Sequence, residues 1–174
     1  MPIYNASNAD CFVFTYKEGL LSAVAHDLRI RVTEFEVELD PENDLVKGNF
    51  DARSLRVVGA MSNGNDAPGK LSDGDKKKIE DSILSDVLHS AKHPQISFEM
   101  EAYREKGDGY QMKGDLSMHG QQKSIVVDVL DKGERWVAEA TVHQPDFGVK
   151  PFSAMLGTLK IKPDVKIQVS VPKA

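Results

Sequence analysis

Two histidines stand four residues apart near the middle of the chain, at His89 and His93. On a helix this spacing would place both rings on one face, an arrangement that zinc sites use. A third ligand would have to come from His26, His119 or His143. No H-E-x-x-H motif and no pair of cysteines accompanies them, so we predict no bound metal and no cofactor. His93 is better explained as the end of a helix.

One histidine could also act as a general base. His26 is followed at once by Asp27, which could orient its ring, and Ser22 or Ser153 could supply a nucleophile. The chain has no G-x-S-x-G elbow that would expose such a serine. We therefore predict no catalytic residues and no enzymatic activity. A small hydrolytic or metal-dependent enzyme, built on His26 or on the two spaced histidines, is the alternative.

Residues 64–70 have the G-x4-G-K spacing of a phosphate-binding loop. Leu71 stands where a serine or threonine should hold magnesium, and Pro68 removes one backbone N–H from the cradle. The flanking sequence does not alternate strands with helices, as such a loop requires. We therefore predict no nucleotide binding.

The bulk properties exclude several classes of protein. The chain has 174 residues and a net charge of −5, enough length for one domain spanning residues 1–174 with a sizeable core. Basic and acidic residues are interspersed, which argues against nucleic-acid binding. Cys11 is the only cysteine, so no internal disulfide can form. There is no basic-then-apolar leader and no membrane-spanning apolar run, so we expect a cytoplasmic protein without stable membrane insertion.

One stretch has the period of a helix. Ile79, Ile83 and Val87 recur every four residues, which predicts an amphipathic helix that begins near Asp73 and ends at Pro94. From residue 96 the apolar period becomes two, which is typical of a strand.

Most of the remaining chain alternates apolar and polar residues in short runs. Predicted strands cover residues 11–16, 28–39, 46–50, 54–58, 95–103, 110–118, 124–130, 135–142, 159–162 and 165–171. The long run 28–39 changes phase near residue 33, which predicts a bulge or a bend. Residues 59–74 are predicted to form a loop. This pattern predicts an all-β fold, an antiparallel barrel or sandwich, with one helix.

Several motifs occur in a distinctive order: HDLRI at 26–30, GNF at 48–50, SILSDVL at 82–88, HPQISF at 93–98, GDLSMHG at 114–120, DFGV at 146–149 and the strand 165–171. Together they resemble the YceI-like family over residues 11–171. The resemblance implies a lipocalin-like antiparallel β-barrel of about eight strands with one amphipathic helix. It also implies binding, sequestration or transport of a polyisoprenoid or another long-chain lipid inside the barrel. A homodimer is compatible with it, and many relatives are periplasmic.

Large apolar residues in alternating phases, together with His26, are the candidates to line such a barrel. The predicted ligand-binding residues are Phe14, His26, Phe35, Phe98, Met100, Met112, Leu116, Trp136, Phe147, Phe152, Met155 and Leu156. Methionine suits a flexible apolar guest, and the small residues Gly114, Ala138 and Ala140 would leave room. Residues 147–156 could form a lip, and His26 could donate a hydrogen bond to a head group. The alternative is a barrel filled by its own side chains that acts as a ligand-free interaction or stress-related protein.

Overall fold

The structure is a computed structural model that describes residues 2–18, 26–154 and 159–173. Within these ranges, twelve strands form one antiparallel sheet in the order β1-β4-β5-β8-β9-β10-β11-β14-β2-β3-β6-β7, and two strands form a separate pair. The strands are β1 (Ile3–Asn5), β2 (Asp10–Thr15), β3 (Asp27–Val32), β4 (Phe35–Asp40), β5 (Leu45–Asp51), β6 (Leu55–Ser62), β7 (Asn65–Asp66), β8 (Gln95–Lys106), β9 (Gly109–Met118), β10 (Gln121–Asp131), β11 (Arg135–His143), β12 (Ser153–Ala154), β13 (Leu159–Lys160) and β14 (Asp164–Pro172). The all-β antiparallel class is confirmed, and the sheet is curled. The predicted count of about eight strands is too low, partly because short strands such as β1 and β7 have no clear sequence pattern.

The strands β8 to β11 form a meander of hairpins, as their alternation predicts. The turns between them contain Gly107, Gly120 and Gly133, which have φ angles of 59°, 74° and 76°. Glycine adopts this left-handed region without a Cβ penalty. Because β14 pairs with both β11 and β2, the meander is joined to the strands from the first part of the chain.

The phase change at Thr33 and Glu34 is a bend, one of the two predicted possibilities, but it is a corner between two strands, so the prediction of one long strand over residues 28–39 is wrong. The strands β3 and β4 on either side of it are not neighbours in the sheet. Ser54 holds the corner: its hydroxyl accepts the backbone N–H of Glu34 at 3.0 Å, and its carbonyl oxygen accepts the Thr33 hydroxyl at 2.9 Å. The polar groups that would be unpaired at the corner are thus satisfied by a residue distant in sequence.

The helix α1 (Asp73–Ser82) begins with a reciprocal cap. The Ser72 hydroxyl accepts the Asp75 N–H at 3.1 Å, and the Asp75 carboxylate accepts the Ser72 N–H at 3.2 Å. Further along, the Glu80 carboxylate accepts the backbone N–H of Val57 at 2.9 Å and so ties the helix to β6. No helix in the described ranges is long and apolar enough to cross a membrane.

The helix ends earlier than its apolar pattern predicts. After α1 the chain makes one π-helical turn over Ile83–Val87, in which the Leu88 N–H bonds to the carbonyl oxygen of Ile83. The helical path stops there because His89 has a φ of 47°, outside the right-handed region. The predicted end at Pro94 is therefore wrong, and His89 and His93 do not share a helical face.

Candidate functional site

The curled sheet encloses two adjoining cavities. The first, here called the sheet cavity, has a volume of about 390 Å³ and is lined by β4, β5, β8 to β11 and β14. The second, called the helix cavity, has a volume of about 580 Å³ and is lined mainly by β2, β3, α1 and the π-helical turn, with further residues from β5, β9 and β14. Four apolar side chains line both cavities and form a waist between them: Phe50, Leu116, Val142 and Ile167. Mainly apolar walls of this kind suit an aliphatic guest.

Five of the predicted ligand-binding residues line the sheet cavity: Phe98, Met100, Met112, Leu116 and Trp136. Ala138 and Ala140 line it too, as predicted for small residues that leave room. Gly114 is different, because a Cβ at this position would lie 2.5 Å from Cζ of Phe98 and 2.5 Å from the carbonyl oxygen of Glu99. The phenyl ring of Phe98 therefore occupies the space that Gly114 was predicted to leave for a guest.

One end of the sheet cavity carries an aromatic group. The ring centroid of Tyr110 lies 6.0 Å from that of Tyr103 and 5.6 Å from that of Trp136. The Tyr103 hydroxyl donates to the Asp44 carboxylate at 3.1 Å, and this bond raises the pKa of the phenol. The Lys173 ammonium lies 4.3 Å from the centre of the Trp136 ring. Because Trp136 is the only tryptophan in the sequence, its fluorescence reports on this cavity.

The helix cavity contains two more predicted residues, His26 and Phe152. Cys11 forms part of its wall; burial raises the pKa of the thiol to about 12, so the thiol stays protonated at neutral pH. Thr15 also lines this cavity, and its buried hydroxyl has no hydrogen-bond partner within the described ranges. A buried hydroxyl without a partner is free to bond to a polar group of a guest.

Charged side chains occur where α1 meets the helix cavity. Lys70, Asp75, Lys78 and His26 all line it. The pKa of Asp75 is lowered first by the hydrogen bond from the Ser72 side chain and further by the charges of Lys78 and His26, which places these groups near one another. Two lysines and one histidine lie on this edge beside Asp75, and Asp51 is a second carboxylate in the wall of the helix cavity.

Three predicted residues, Phe14, Phe35 and Phe147, are not among the residues that line either cavity. On β2 the helix cavity is lined by Cys11 and Val13, so strand alternation places Phe14 on the outer face. There its ring lies 6.3 Å from that of Phe12, which Arg29 covers at 5.0 Å. The prediction assigned Phe14 to the wrong face of its strand.

The other two aromatic residues are core. Phe35 is buried and its ring is stacked on that of Phe50 at a centroid distance of 6.1 Å. It therefore packs against a waist residue without lining either cavity. Phe147, on a short 3-10 helix (Gln144–Phe147), is 1% exposed and packs in a cluster with Val87 and Val149. Met155 and Leu156 lie outside the described residues, as does part of the predicted lip.

Comparison with known proteins agrees with this architecture. The family profile of the YceI-like domain matches residues 4–172. The chain belongs to the YceI-like family. BcnA of Burkholderia cenocepacia shares the fold with a TM-score of 0.62 at 15% identity, covering 98% of this chain and 99% of that chain. The YCEI protein of Campylobacter jejuni does so with a TM-score of 0.55 at 14% identity, covering 83% of this chain and 84% of that chain. None of the curated proteins compared with the chain matches it.

YceI-like proteins are known for binding polyisoprenoids and other lipids, and the family has a binding-protein fold rather than an enzyme fold. In this YceI-like chain the Asp27 carboxylate accepts the backbone N–H of Lys17 at 2.8 Å, two residues beyond the end of β2. Among the described residues no hydrogen bond joins this carboxylate to the His26 ring. Ser153 is exposed, and Ser22 lies outside the described residues.

The fold brings one further histidine next to His89 and His93. Of the three candidate partners, the fold places His119 beside His89 and His93, with ring centroids 5.6 and 4.6 Å apart. Among the residues that the structure describes, no three His, Cys, Asp or Glu side chains are arranged to hold a metal ion. His143 lies elsewhere and pairs with Asp164 at 2.6 Å.

The sequence did not single out three of the four waist residues of this YceI-like chain, Phe50, Val142 and Ile167. Each lies in a strand whose alternation was recognised. Alternation identifies two faces without saying which one is inside, and the pairing of β11 with β14 decides that Val142 and Ile167 meet at the waist.

Proposed function

We propose that this protein binds a long-chain amphiphile, a polyisoprenoid or a similar lipid, and sequesters or transports it within the curled sheet. The observation that carries the proposal is the pair of adjoining apolar cavities that share one waist. A sheet whose interior was filled by its own side chains would leave no such space, so the cavities favour a guest over the ligand-free alternative.

Burial of an aliphatic tail supplies the binding energy. Each buried methylene contributes about 0.8 kcal/mol, before the cost of ordering the chain. A tail that enters the helix cavity and passes Phe50 and Leu116 can continue into the sheet cavity, so both volumes serve one extended guest. A long chain is needed to exploit both cavities, which favours a polyprenyl or long acyl chain over a compact ligand.

The polar edge of the helix cavity suits the head group. Lys70, Lys78 and His26 can face an anionic head group such as a phosphate or carboxylate, and the free hydroxyl of Thr15 can donate or accept one further bond. The carboxylates of Asp75 and Asp51 oppose this preference, but each already has a partner: Asp75 accepts the Ser72 N–H, and Asp51 is paired with Arg53. At the opposite end, the sheet cavity is lined by Asp40, Asp44 and aromatic rings. The nearby Lys173 ammonium is already paired with Asp131, so this end is the less favourable one for an anion.

The direct test is native mass spectrometry of freshly purified protein, followed by organic extraction of anything released. We expect a stoichiometric adduct whose extracted component carries a prenyl or long acyl chain. A clean unliganded mass, together with no uptake of an added prenyl alcohol or isoprenoid quinone, would contradict the proposed function and leave the fold assignment unchanged.

The head-group assignment predicts a selective effect of Lys78→Gln. Affinity for a prenyl phosphate should fall about tenfold, since a charge-assisted bond is worth about 1.5–3 kcal/mol in protected sites and less where it is exposed. Affinity for the prenyl alcohol of the same length should stay unchanged, because the tail contacts are untouched. Isothermal titration calorimetry with the two ligands measures both.

The matched control is Lys77→Gln on the same helix. Lys77 does not line the helix cavity and forms an exposed pair with Asp81 at 2.8 Å, so the control removes the same charge from a site away from the guest. Equal losses in the two variants would show a general effect of net charge and would remove Lys78 from the head-group site.

A further inference from the structure

The helix cavity is closed on one side by residues 73–88, here called the roof, which comprise α1 and the π-helical turn. Ile79, Ile83 and Leu88 line the cavity from this side. The roof ends directly at His89, and the chain then passes through His93 into β8. The contacts that hold residues 89–93 therefore also determine whether the end of the roof can move away from the cavity.

Histidine side chains hold that segment against the sheet. His119, in the turn between β9 and β10, lies between the rings of His93 and His89, at centroid distances of 4.6 and 5.6 Å. The contact is close, because a Cβ on the neighbouring Gly120 would lie 3.3 Å from Cε1 of His93. Both His89 and His119 have positive φ angles, 47° and 54°, which non-glycine residues adopt at a cost that the surrounding structure must offset.

His119 is fixed in position by a backbone group. Its Nδ1 lies 3.2 Å from the carbonyl oxygen of Phe147, so the neutral ring donates from Nδ1 and keeps its lone pair on Nε2. This Nε2 is buried and has no partner among the described residues. A proton arriving there would create a cation in a buried position next to two other imidazoles, with no acceptor at hand.

The charged groups around the cluster do not offset such a cation. Asp81 and Lys92 line the same surface depression as the three rings. Asp81 is already paired with Lys77 at 2.8 Å, and Lys92 adds a further positive charge. Asp146 lies on the 3-10 helix that supplies the Phe147 carbonyl, and its side chain is exposed.

We propose that His89, His93 and His119 form a proton-sensitive latch, which holds the end of the roof closed at neutral pH and releases it in mild acid. Protonation of two or more of the rings puts like charges about 5 Å apart with few compensating groups, and separation of the rings relieves the repulsion. Because the roof covers the helix cavity, release of the latch opens that cavity.

The direction of the pH dependence follows from the pKa of His93. Burial lowers the pKa of His93, and the charges of His119, Lys92 and His89 lower it further. The closed form therefore binds fewer protons than the open form. Its stability is fully present above the ordinary histidine pKa of about 6.5 and is lost as the pH falls from there through the lowered value.

Hydrogen–deuterium exchange of the full chain without ligand tests the latch. Protection of residues 83–93, corrected for the intrinsic pH dependence of exchange, should fall about tenfold or more between about pH 7.5 and pH 5, the interval in which histidine titrates. Strands β10 and β11 should keep their protection. His119→Gln can still donate to the Phe147 carbonyl but cannot be charged, so it should remove most of this acid response, and His93→Gln serves as a second variant if the first folds poorly.

The matched control is His143→Gln, which removes a histidine paired with Asp164 outside the cluster and should respond to acid as the unmodified chain does. An undiminished acid response in both cluster variants, or an equal loss of protection in all strands, would overturn the latch.

The latch itself does not depend on the proposed function, but the prediction that acid speeds the release of a bound lipid does. With a nitroxide-labelled long-chain alcohol, which does not titrate and which quenches Trp136 fluorescence when bound, we expect dissociation to accelerate about tenfold over the same pH interval. If acid increases hydrogen exchange but does not accelerate dissociation, then release of the latch does not open the helix cavity, and that part of the proposal is overturned. If the alcohol never binds, the proposed function fails while the exchange result still decides whether the latch exists.

Discussion

Replacement of Phe98 by alanine should lower the free energy of unfolding by about 3 kcal/mol, at the lower end of the range for buried phenylalanine. Phe98 packs against two clusters of buried apolar residues, one that includes Leu116 and one that includes Met112. Its ring also covers the backbone at Gly114. Removal of the ring would enlarge an existing void and expose that glycine, a position that an aromatic neighbour stabilises across the strands. Denaturant titration followed by circular dichroism measures the change.

Val126→Ala is the matched control for this substitution. Val126 is 53% exposed on the neighbouring meander strand β10, so its truncation should change stability by no more than about 0.5 kcal/mol. If Phe98→Ala cost less than about 1 kcal/mol, the ring would not be part of the core, and its contact with Gly114 would carry no weight.

The parts of the fold that could be predicted depend on local signals. The hairpins from β8 to β11 have a glycine where each turn needs a positive φ. Their strands have a period of two, apart from one register shift in β8 between Met100 and Ala102, and both features can be read within about ten residues. The start of α1 is equally local, because Ser72 and Asp75 cap it within one turn. The order of motifs in the sequence adds the family and with it the curled sheet.

The errors arise where a distant residue decides the local structure. The change of phase within the run 28–39 locates the corner at Thr33 and Glu34, but the corner depends on Ser54, about twenty positions away. The run alone therefore does not show that β3 and β4 separate there. The helix pattern continues to Val87 and beyond in sequence, but the backbone changes to a π-helical turn and then leaves the helical region at His89. Apolar periodicity identifies the buried face and does not determine the hydrogen-bonding pattern.

The sequence predicted many of the residues that line the cavities, but it did not predict how those residues are arranged in space. Phe98, Met112 and Trp136 were candidates because they are large apolar residues in alternating strands, and the fold places all three on the wall of the sheet cavity. The same reasoning put Phe14 on the wrong face, because the short strand β2 has bulky residues in both phases. Which histidine joins His89 and His93 depends on the β9–β10 turn packing against the segment before β8, and this long-range contact has no signature in the sequence.

A larger side chain at Ala140 should block the guest while the fold is retained. Ala140 lines the sheet cavity, pairs with Ile167 of the waist and lies two residues before Val142. In Ala140→Leu the added carbons extend into empty space, so stability should change by less than about 1.5 kcal/mol. The guest loses the room for two or three methylenes, about 2 kcal/mol, and its affinity should fall roughly thirtyfold.

Two measurements separate blockage of the cavity from damage to the fold. The affinity of a long-chain prenyl alcohol is followed by Trp136 fluorescence, and stability is followed by denaturant titration of the same samples. Ala102→Leu adds the same carbons at an exposed position of β8 and should change neither quantity. Because the waist is the only shared boundary that the two cavities have among the described residues, a guest that uses both must pass close to Ala140. Unchanged affinity in a folded Ala140→Leu variant would therefore confine the guest to the helix cavity and shorten the chain that the protein can hold.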